Sequence, residues 1–314
     1  MDIFINHELR INNVNEYAKI SKITIDKEGR VIFGKLLENG SGEYQALCST
    51  TLVKEDTFAN PLLLTNEEHD DGIVIAYDII TETKTEMPWL GLFSHENTII
   101  VPNTHNKTLL ITSEDNKLDR SQLYAFISNN SDELLEGNGQ LYVLTGEDNN
   151  LSSFRDIQKG IQYTGYFEPV SWDWKTQNSS DLENKVQELN AIDFIKLEDI
   201  DFNKNDNSIF YIADTGTDEA GDKYKNVRIY EFKLGQLNQT LNTLDRFNVS
   251  FSVILDGDSG SDMRNPDNLG TSKKSLMIQE DLSDYNRIDN GVNARILKYG
   301  LSTLNLEPVA IIDQ

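Results

Sequence analysis

The stretch NPDNLGTSKKSLMIQED, Asn265 to Asp281, holds the pattern that decides how this chain reads. Asp267-Asn268 opens it and a polar turn follows. An apolar run, Ser275-Leu276-Met277-Ile278, then ends on a second acidic pair, Glu280-Asp281. A short apolar run bounded by Asn, Asp, Gly and Ser is the signature of a β-strand closed by turns. Here side chains with oxygen donors bracket the strand at both ends.

The same punctuation recurs along the chain. RVIFGKLL, PLLLTNEE, GIVIAYDI, NTIIVPN, KTLLITSED, SQLYAFIS, GQLYVLTGE, SIFYIADTG, NVRIYEFKL, FSVILDGD and ARILKYGL are all short apolar or alternating runs set between turn residues. Helical periodicity is scarce. NLSSFRDIQKG (150–160) and SSDLENKVQELNA (179–191) are the helix candidates, the second with Ser179-Ser180 as N-caps. Many short antiparallel strands with irregular repeats predict an all-β propeller or barrel. A length of 314 residues, at roughly 40–50 per four-stranded blade, predicts about six blades. A two-sheet sandwich would not need so many strands. The expectation is one propeller domain over 1–314 with an insertion at about 148–190, incomplete at both termini.

Composition bounds the partners. Hydrophobic residues make up 38% and charged residues 25%, enough for a packed core. Lys and Arg number 28 against 52 Asp and Glu, a net charge of −24. Such a surface repels nucleic acid and anionic membranes and suits divalent cations, although acidity also serves plain solubility. There is one cysteine, Cys48, so no intrachain disulfide, and no run of 18 apolar residues that would make a transmembrane segment. The opening MDIFINHELR lacks a signal-peptide pattern and reads as a strand.

Carboxylates collect at strand ends: Glu8, Glu67-Glu68, Glu96, Glu114-Asp115, Glu198-Asp199, Asp214, Asp267 and Glu280-Asp281. Asp and Asn are ordinary turn residues, but Glu is not. In a propeller the innermost strands open at one end of a central channel. Acids from successive blades would converge there and would need cations. His7 and His95 each adjoin a Glu, but neighbouring strand residues face opposite ways, so both histidines read as structural. Cys48 is either a small buried hydrophobe or a soft ligand for iron, zinc or copper. GDSGSD (257–262) reads as an acidic turn. The chain has no phosphate-cradling glycine loop, Cys-x-x-Cys, His-Glu-x-x-His or Gly-x-Ser-x-Gly.

NHEL, LCSTTL, LLLTNEE, LGLFSHEN, SQLYAF, GQLYVLTG, KLEDIDF, NPDNL and MIQED, in that order from about residue 4 to 299, resemble the PhoX-type alkaline phosphatase family, once known only as a domain of unknown function. The resemblance implies a six-bladed β-propeller that hydrolyses small phosphate monoesters with iron and calcium in its funnel. It implies iron at Glu8, Cys48 and Glu96, and calcium at Glu198, Asp267, Asn268 and Glu280. Glu67 is a further candidate, which the sequence does not separate from Glu68. It also implies export to the periplasm or beyond; a monomer is the expectation for the chain. Lys196 stands where the family has an arginine that contacts phosphate, so the catalytic cation keeps its charge and loses the bidentate fork. The ends of the chain also depart from the family, as does the insertion with Trp172 and Trp174. Two other functions compete: a calcium-dependent lactonase or phosphotriesterase, and a calcium-binding propeller without turnover.

Overall fold

The computed structural model describes the chain except for residues 8–17, 40–43, 55–56, 103–106, 117–119, 149, 217–225, 236–244, 260–261, 282–292 and 312–314. Among the described residues twenty strands follow one another, and each sheet grows outward from its first strand. The first sheet is β1 (Asp2–His7), β2 (Lys19–Ile25) and β3 (Val31–Glu38). The second is β4 (Leu47–Val53), β5 (Leu62–Glu67), β6 (Val74–Asp78) and β7 (Thr83–Met87). The third runs through β8 (His95–Ile100), β9 (Thr108–Glu114), β10 (Leu123–Ser128), β11 (Gln140–Gly146) and β12 (Tyr163–Pro169). The fourth is β13 (Leu197–Phe202), β14 (Ile209–Asp214), β15 (Arg228–Leu234) and β16 (Phe247–Asp256). The last is β17 (Pro266–Thr271), β18 (Ser275–Glu280), β19 (Arg295–Gly300) and β20 (Leu306–Ile311).

Among the described residues every pairing of one strand with another is antiparallel, as runs joined by short turns require. The first strands β1, β4, β8, β13 and β17 lie side by side in that order. They line the centre of a propeller-like arc, and the other strands radiate from it. The all-β propeller reading holds. The described residues supply five such sheets, and a sixth is not among them.

The residues at 148–190 do something else. β12 lies within them and pairs with β11 on one side and β16 on the other, with Tyr163 opposite Phe251 and Phe167 opposite Phe247. It joins the outer edges of the third and fourth sheets into one nine-stranded sheet. Of the two helix candidates, Ser179–Glu188 forms a helix, α2, while α1 (Ser131–Leu135) is a short further one. Asn178, not Ser179, caps α2, accepting from the Asp181 N–H while the Asp181 side chain returns to the Asn178 N–H. Over 150–160 the helical expectation fails: only a single 3-10 turn, Phe154–Asp156, forms. Its Ser153 cap and the bridge from Ser153 to Asp193 tie that segment to the sheet ends instead. Trp172 and Trp174 are packed in rather than hung over the surface. Trp174 sits 5.4 Å from Trp89, and both pack on the core that includes Leu182 and Val186 of α2.

The core consists of four apolar layers, each lying between consecutive sheets. Leu63, Ile75 and Tyr77 meet Ile20 of the first sheet; Leu64 and Ala76 meet Leu110 and Tyr124 of the third. Leu109 and Ile111 face Phe210 and Phe232 of the fourth, and Tyr211 and Ile229 face Leu276 and Ile278 of the last. Alternate residues of one strand thus feed two different layers, which is why β9 and β10 are buried at every position. The sheets at the two ends have one such neighbour each, and their outermost strands leave Val31, Ile32, Phe33, Val309 and Ile311 exposed.

Candidate metal centre

Four of the central strands share an irregularity. In β4, pairing with β5 runs Leu47 to Glu67 and then Thr50 to Thr65, so Cys48 and Ser49 stand opposite Asn66 alone. In β8, His95 pairs with Glu114 and Thr98 with Thr112, which leaves Glu96 and Asn97 opposite Ser113. In β13, Leu197 pairs with Asp214 and Ile200 with Ile212, isolating Glu198 and Asp199. In β17, Pro266 pairs with Glu280 and Leu269 with Ile278, isolating Asp267 and Asn268. Each is a β-bulge, two residues against one, and a bulge re-aims side chains out of the ladder.

The first residue of each bulge is Cys48, Glu96, Glu198 or Asp267, and these four are the side chains that gather. Cys48, Glu68 and Glu96 offer donor atoms all within 4.8 Å of one another, and Glu96, Glu198 and Asp267 do the same. Glu96 belongs to both groups. The Cys48 thiol and the Ser49 hydroxyl both donate to Glu96 Oε1, at 3.0 and 3.1 Å.

The acidic pairs at the ends of the second strands divide their work in the same repeated way. The first member lies opposite the residue that starts the inner strand, and its carboxylate takes main-chain N–H groups. Glu67 Oε1 accepts from Gln45, Glu114 Oε2 from Gln122, Asp214 from Ile195, Lys196 and Gly216, and Glu280 from Arg264 and Arg295. The next residue uses its N–H to bind the carbonyl just before the inner strand: Glu68 to Ala46, Asp115 to Ser94, Thr215 to Lys196, Asp281 to Asn265. Ala46 and Asn265 take positive φ, 44° and 36°, a sparsely populated conformation for residues other than glycine. It is held here by those bonds.

Against the sequence expectations, the placements are as follows. Cys48, Glu96, Glu198 and Asp267 come together. Glu68, not Glu67, joins Cys48 and Glu96, while the Glu67 carboxylate is turned to the Gln45 main chain. Glu280 is turned away as well: its two oxygens receive Arg295 Nη2 and Nε, at 2.7 and 2.9 Å. Asn268 is exposed. Glu8 lies outside the described residues. Lys196 Nζ reaches Glu198 Oε1 at 2.9 Å and Asp115 Oδ2 at 3.4 Å. The sequence marked Asp115 as a strand-end acid without giving it a ligand role. Its signal was its place as second member of a pair, the place Glu68 also holds.

Electrostatics follow from burial. Glu96 is held well above the usual carboxylate range by desolvation, then by the charges of Asp267 and Asp115. Glu198 is raised chiefly by desolvation, with Lys196 opposing it. Burial disfavours the Lys196 ammonium, but Glu198 and Asp115 more than compensate and raise it. Carboxylates this close are stable only when a proton or a cation sits among them.

Beneath the centre a polar belt links the sheets. Thr51 donates to Asn97 Oδ1, Asn97 donates to Asp199 Oδ1, and Asp199 Oδ2 accepts from Leu269 N–H at 2.8 Å. Ser113 Oγ donates to the Glu198 carbonyl at 2.9 Å. The Asn6 amide donates to the Cys48 and Ser49 carbonyls. His95 is buried, stacked on Phe93 and bonded to Thr112 and Gly91, and burial drops it to about 3; His7 pairs with Ser21.

Four of the central strands each contribute one bulged donor, a thiol and three carboxylates in all, and these make the propeller's centre a candidate metal site. The donors fit metals. Cys48 with Glu68 and Glu96 is a mixed soft and hard set suited to a transition metal, and Glu96 with Glu198 and Asp267 is all oxygen, suited to a hard cation. The chain matches the family model of alkaline phosphatase PhoX over residues 15–303 and belongs to that metal-dependent family. The solved structure of Pseudomonas fluorescens PhoX in complex with vanadate, a transition state analogue, superimposes with a TM-score of 0.58. At 13% identity the match covers 93% of this chain and 70% of that one, and it shows a shared fold. A crystal structure of the tricorn protease superimposes with a TM-score of only 0.24 at 12% identity, over 98% of this chain and 30% of its own, too low to bear on the fold. No curated protein sequence matches significantly. Among the described residues no helix is long and apolar enough to cross a membrane.

Proposed function

We propose that this chain, taken as one propeller domain, is a metal-dependent phosphomonoesterase acting on small phosphate esters at the mouth of its channel. The observation that carries the reading is the bulge repeated in four sheets, which gathers Cys48, Glu96, Glu198 and Asp267 in a member of the PhoX family. Cys48, Glu68 and Glu96 would hold iron; Glu96, Glu198 and Asp267 would hold calcium. When bound, such ions supply Lewis-acid charge to the phosphoryl oxygens and to a water nucleophile. In a chain of net charge −24 an anionic ester can dock only where bound cations invert the local sign.

The chain's own groups hold that arrangement. Cys48 and Ser49 fix one oxygen of Glu96, and Asn6 fixes the carbonyls of the bulge that carries them. The Asn97–Asp199 belt keeps the third, fourth and fifth sheets in register below. The bulges need this support, because a residue outside the ladder is otherwise free to turn.

The test is elemental analysis of protein purified without chelator, with phosphate release from an aryl monoester measured on the same sample and an aryl diester as control. Iron and calcium together, monoester turnover, and loss of both iron and turnover in Cys48→Ala are expected. Calcium without iron, with turnover indifferent to Cys48→Ala, would sink the iron-thiolate site.

A further inference from the structure

Lys196 is a fixed cation among the ligands. Its main chain is pinned at the entrance of β13: the N–H donates to Asp214 Oδ1 at 3.1 Å and the carbonyl accepts from Thr215 at 3.0 Å. Its side chain is 33% exposed, while the carboxylates it bridges, Glu198 and Asp115, are 5% and 2% exposed. The half-buried ammonium therefore points its donors at two carboxylates that are more deeply buried than itself. The 2.9 Å contact to Glu198 is a charge-assisted hydrogen bond of ordinary length.

A calcium ion bridging the same two oxygens would lie about 2.3–2.6 Å from each. Nζ, at 2.9 and 3.4 Å from them, already fills that volume, so the two cations exclude each other. We propose that Lys196 is a tethered cation that takes the Glu198–Asp115 position from a divalent ion, so that this chain's oxygen-rich side binds one divalent ion fewer than its carboxylates could hold. Calcium is left with the other face, between Glu96, Glu198 and Asp267. Lys196 then spends its charge on the ligands rather than on an incoming phosphate. An ammonium can do this because it is a compact point charge on a flexible stem. The inference rests on reading the site as a metal centre, not on its acting as a phosphatase.

The experiment counts calcium bound to metal-stripped, reloaded full-length protein, by equilibrium dialysis with calcium alone. Lys196→Met should bind about one further equivalent per chain than the unaltered protein, and Lys196→Arg should bind the unaltered number. The further equivalent should vanish in Lys196→Met combined with Asp115→Asn. Lys196→Met should also melt lower than the unaltered protein in chelator and recover with calcium. Equal calcium in the unaltered protein and Lys196→Met, or none in either, overturns the proposal.

Should Lys196→Met not fold, acylation of the unaltered protein by acetic anhydride, read at Lys196 by mass spectrometry, decides. A tethered cation stays protected with and without calcium. A lysine displaced by metal becomes reactive as calcium loads, and that result overturns the proposal. None of these readouts uses turnover, so a protein without phosphatase activity could still support the inference, and an active one could still refute it.

Discussion

Cys48, Glu68 and Glu96 make one corner of the centre; Glu96, Glu198 and Asp267, with Asp115 and Lys196 beside them, make the other. The thiol corner takes its donors from the second sheet and one residue of the third. The oxygen corner draws on the third, fourth and last sheets. The first carries a thiol that already donates to the shared carboxylate, the second an ammonium that bridges two acids. One repeated backbone device thus supplies all but Glu68 of two chemically different donor groups. The bulge sets where a side chain emerges, and the residue placed there sets which cation it prefers.

Breaking the residue common to both corners should have the largest effect. Glu96→Ala should empty both corners and remove several kcal/mol of transition-state stabilisation, roughly 100- to 1,000-fold in monoester turnover. Elemental analysis and single-turnover assays on one preparation would show it. Retention of either metal at full occupancy would mean that the corners do not share Glu96.

Cys48→Ser should separate them. Iron falls away while calcium bound at Glu96, Glu198 and Asp267 stays within about twofold, and turnover falls further than the roughly 10- to 100-fold typical of a residue that only orients a ligand. Equal loss of both ions would show instead that the corners load as one unit.

The acidic pair of the second sheet sharpens the contrast between ligand and scaffold. Glu68→Gln should lose iron with little change in melting. Glu67→Gln should keep iron and lose about 1–3 kcal/mol of stability, because the buried carboxylate that holds the Gln45 N–H is weakened. Chemical denaturation and iron content, measured for both, would reverse this assignment if the two variants traded places.

The smallest effect is on pH dependence, and it belongs to the scaffold around the oxygen corner. Burial raises Asp199 and Asp214 to about 7 and Glu114 to about 8. A carboxyl raised in the folded state binds more protons folded than unfolded, so it favours folding at low pH and loses that advantage as pH rises. For the metal-free protein, these groups make stability fall between about pH 4, where the unfolded acids ionise, and about pH 8. Melting in chelator at pH 5 should exceed that at pH 8. Asp199→Asn should flatten the profile between pH 4 and 7. A profile that rises with pH would count against it.

Glu96 and Glu198 were legible in the sequence as strand-end acids because turn chemistry does not call for glutamate, whereas Asp267 read equally as a turn residue, and only the family resemblance singled out these three as ligands. Cys48 was legible only through the family resemblance. By its own pattern it could equally have been a core residue. Glu67 and Glu280 show the limit. Each adjoins a second acid, and one-letter spacing cannot say which member faces the channel. That is decided by the N–H of the residue two places before the inner strand, Gln45 for Glu67 and Arg264 for Glu280, which lie 22 and 16 residues away. Lys196 was legible as a cation at the family's arginine position, but not as one aimed at Asp115, which lies 81 residues earlier in the chain.

By itself the sequence determined the strand-rich, turn-punctuated architecture, the acidity that calls for cations, and the inventory of donors, because period-two patterning and residue chemistry are local properties. The tertiary structure alone decided which donors meet. β12 unites two sheets through an edge no local pattern announces, and four bulges bring one residue each into two donor groups that share Glu96. A bulge is a mismatch between two strands, so it exists only once both strands are paired.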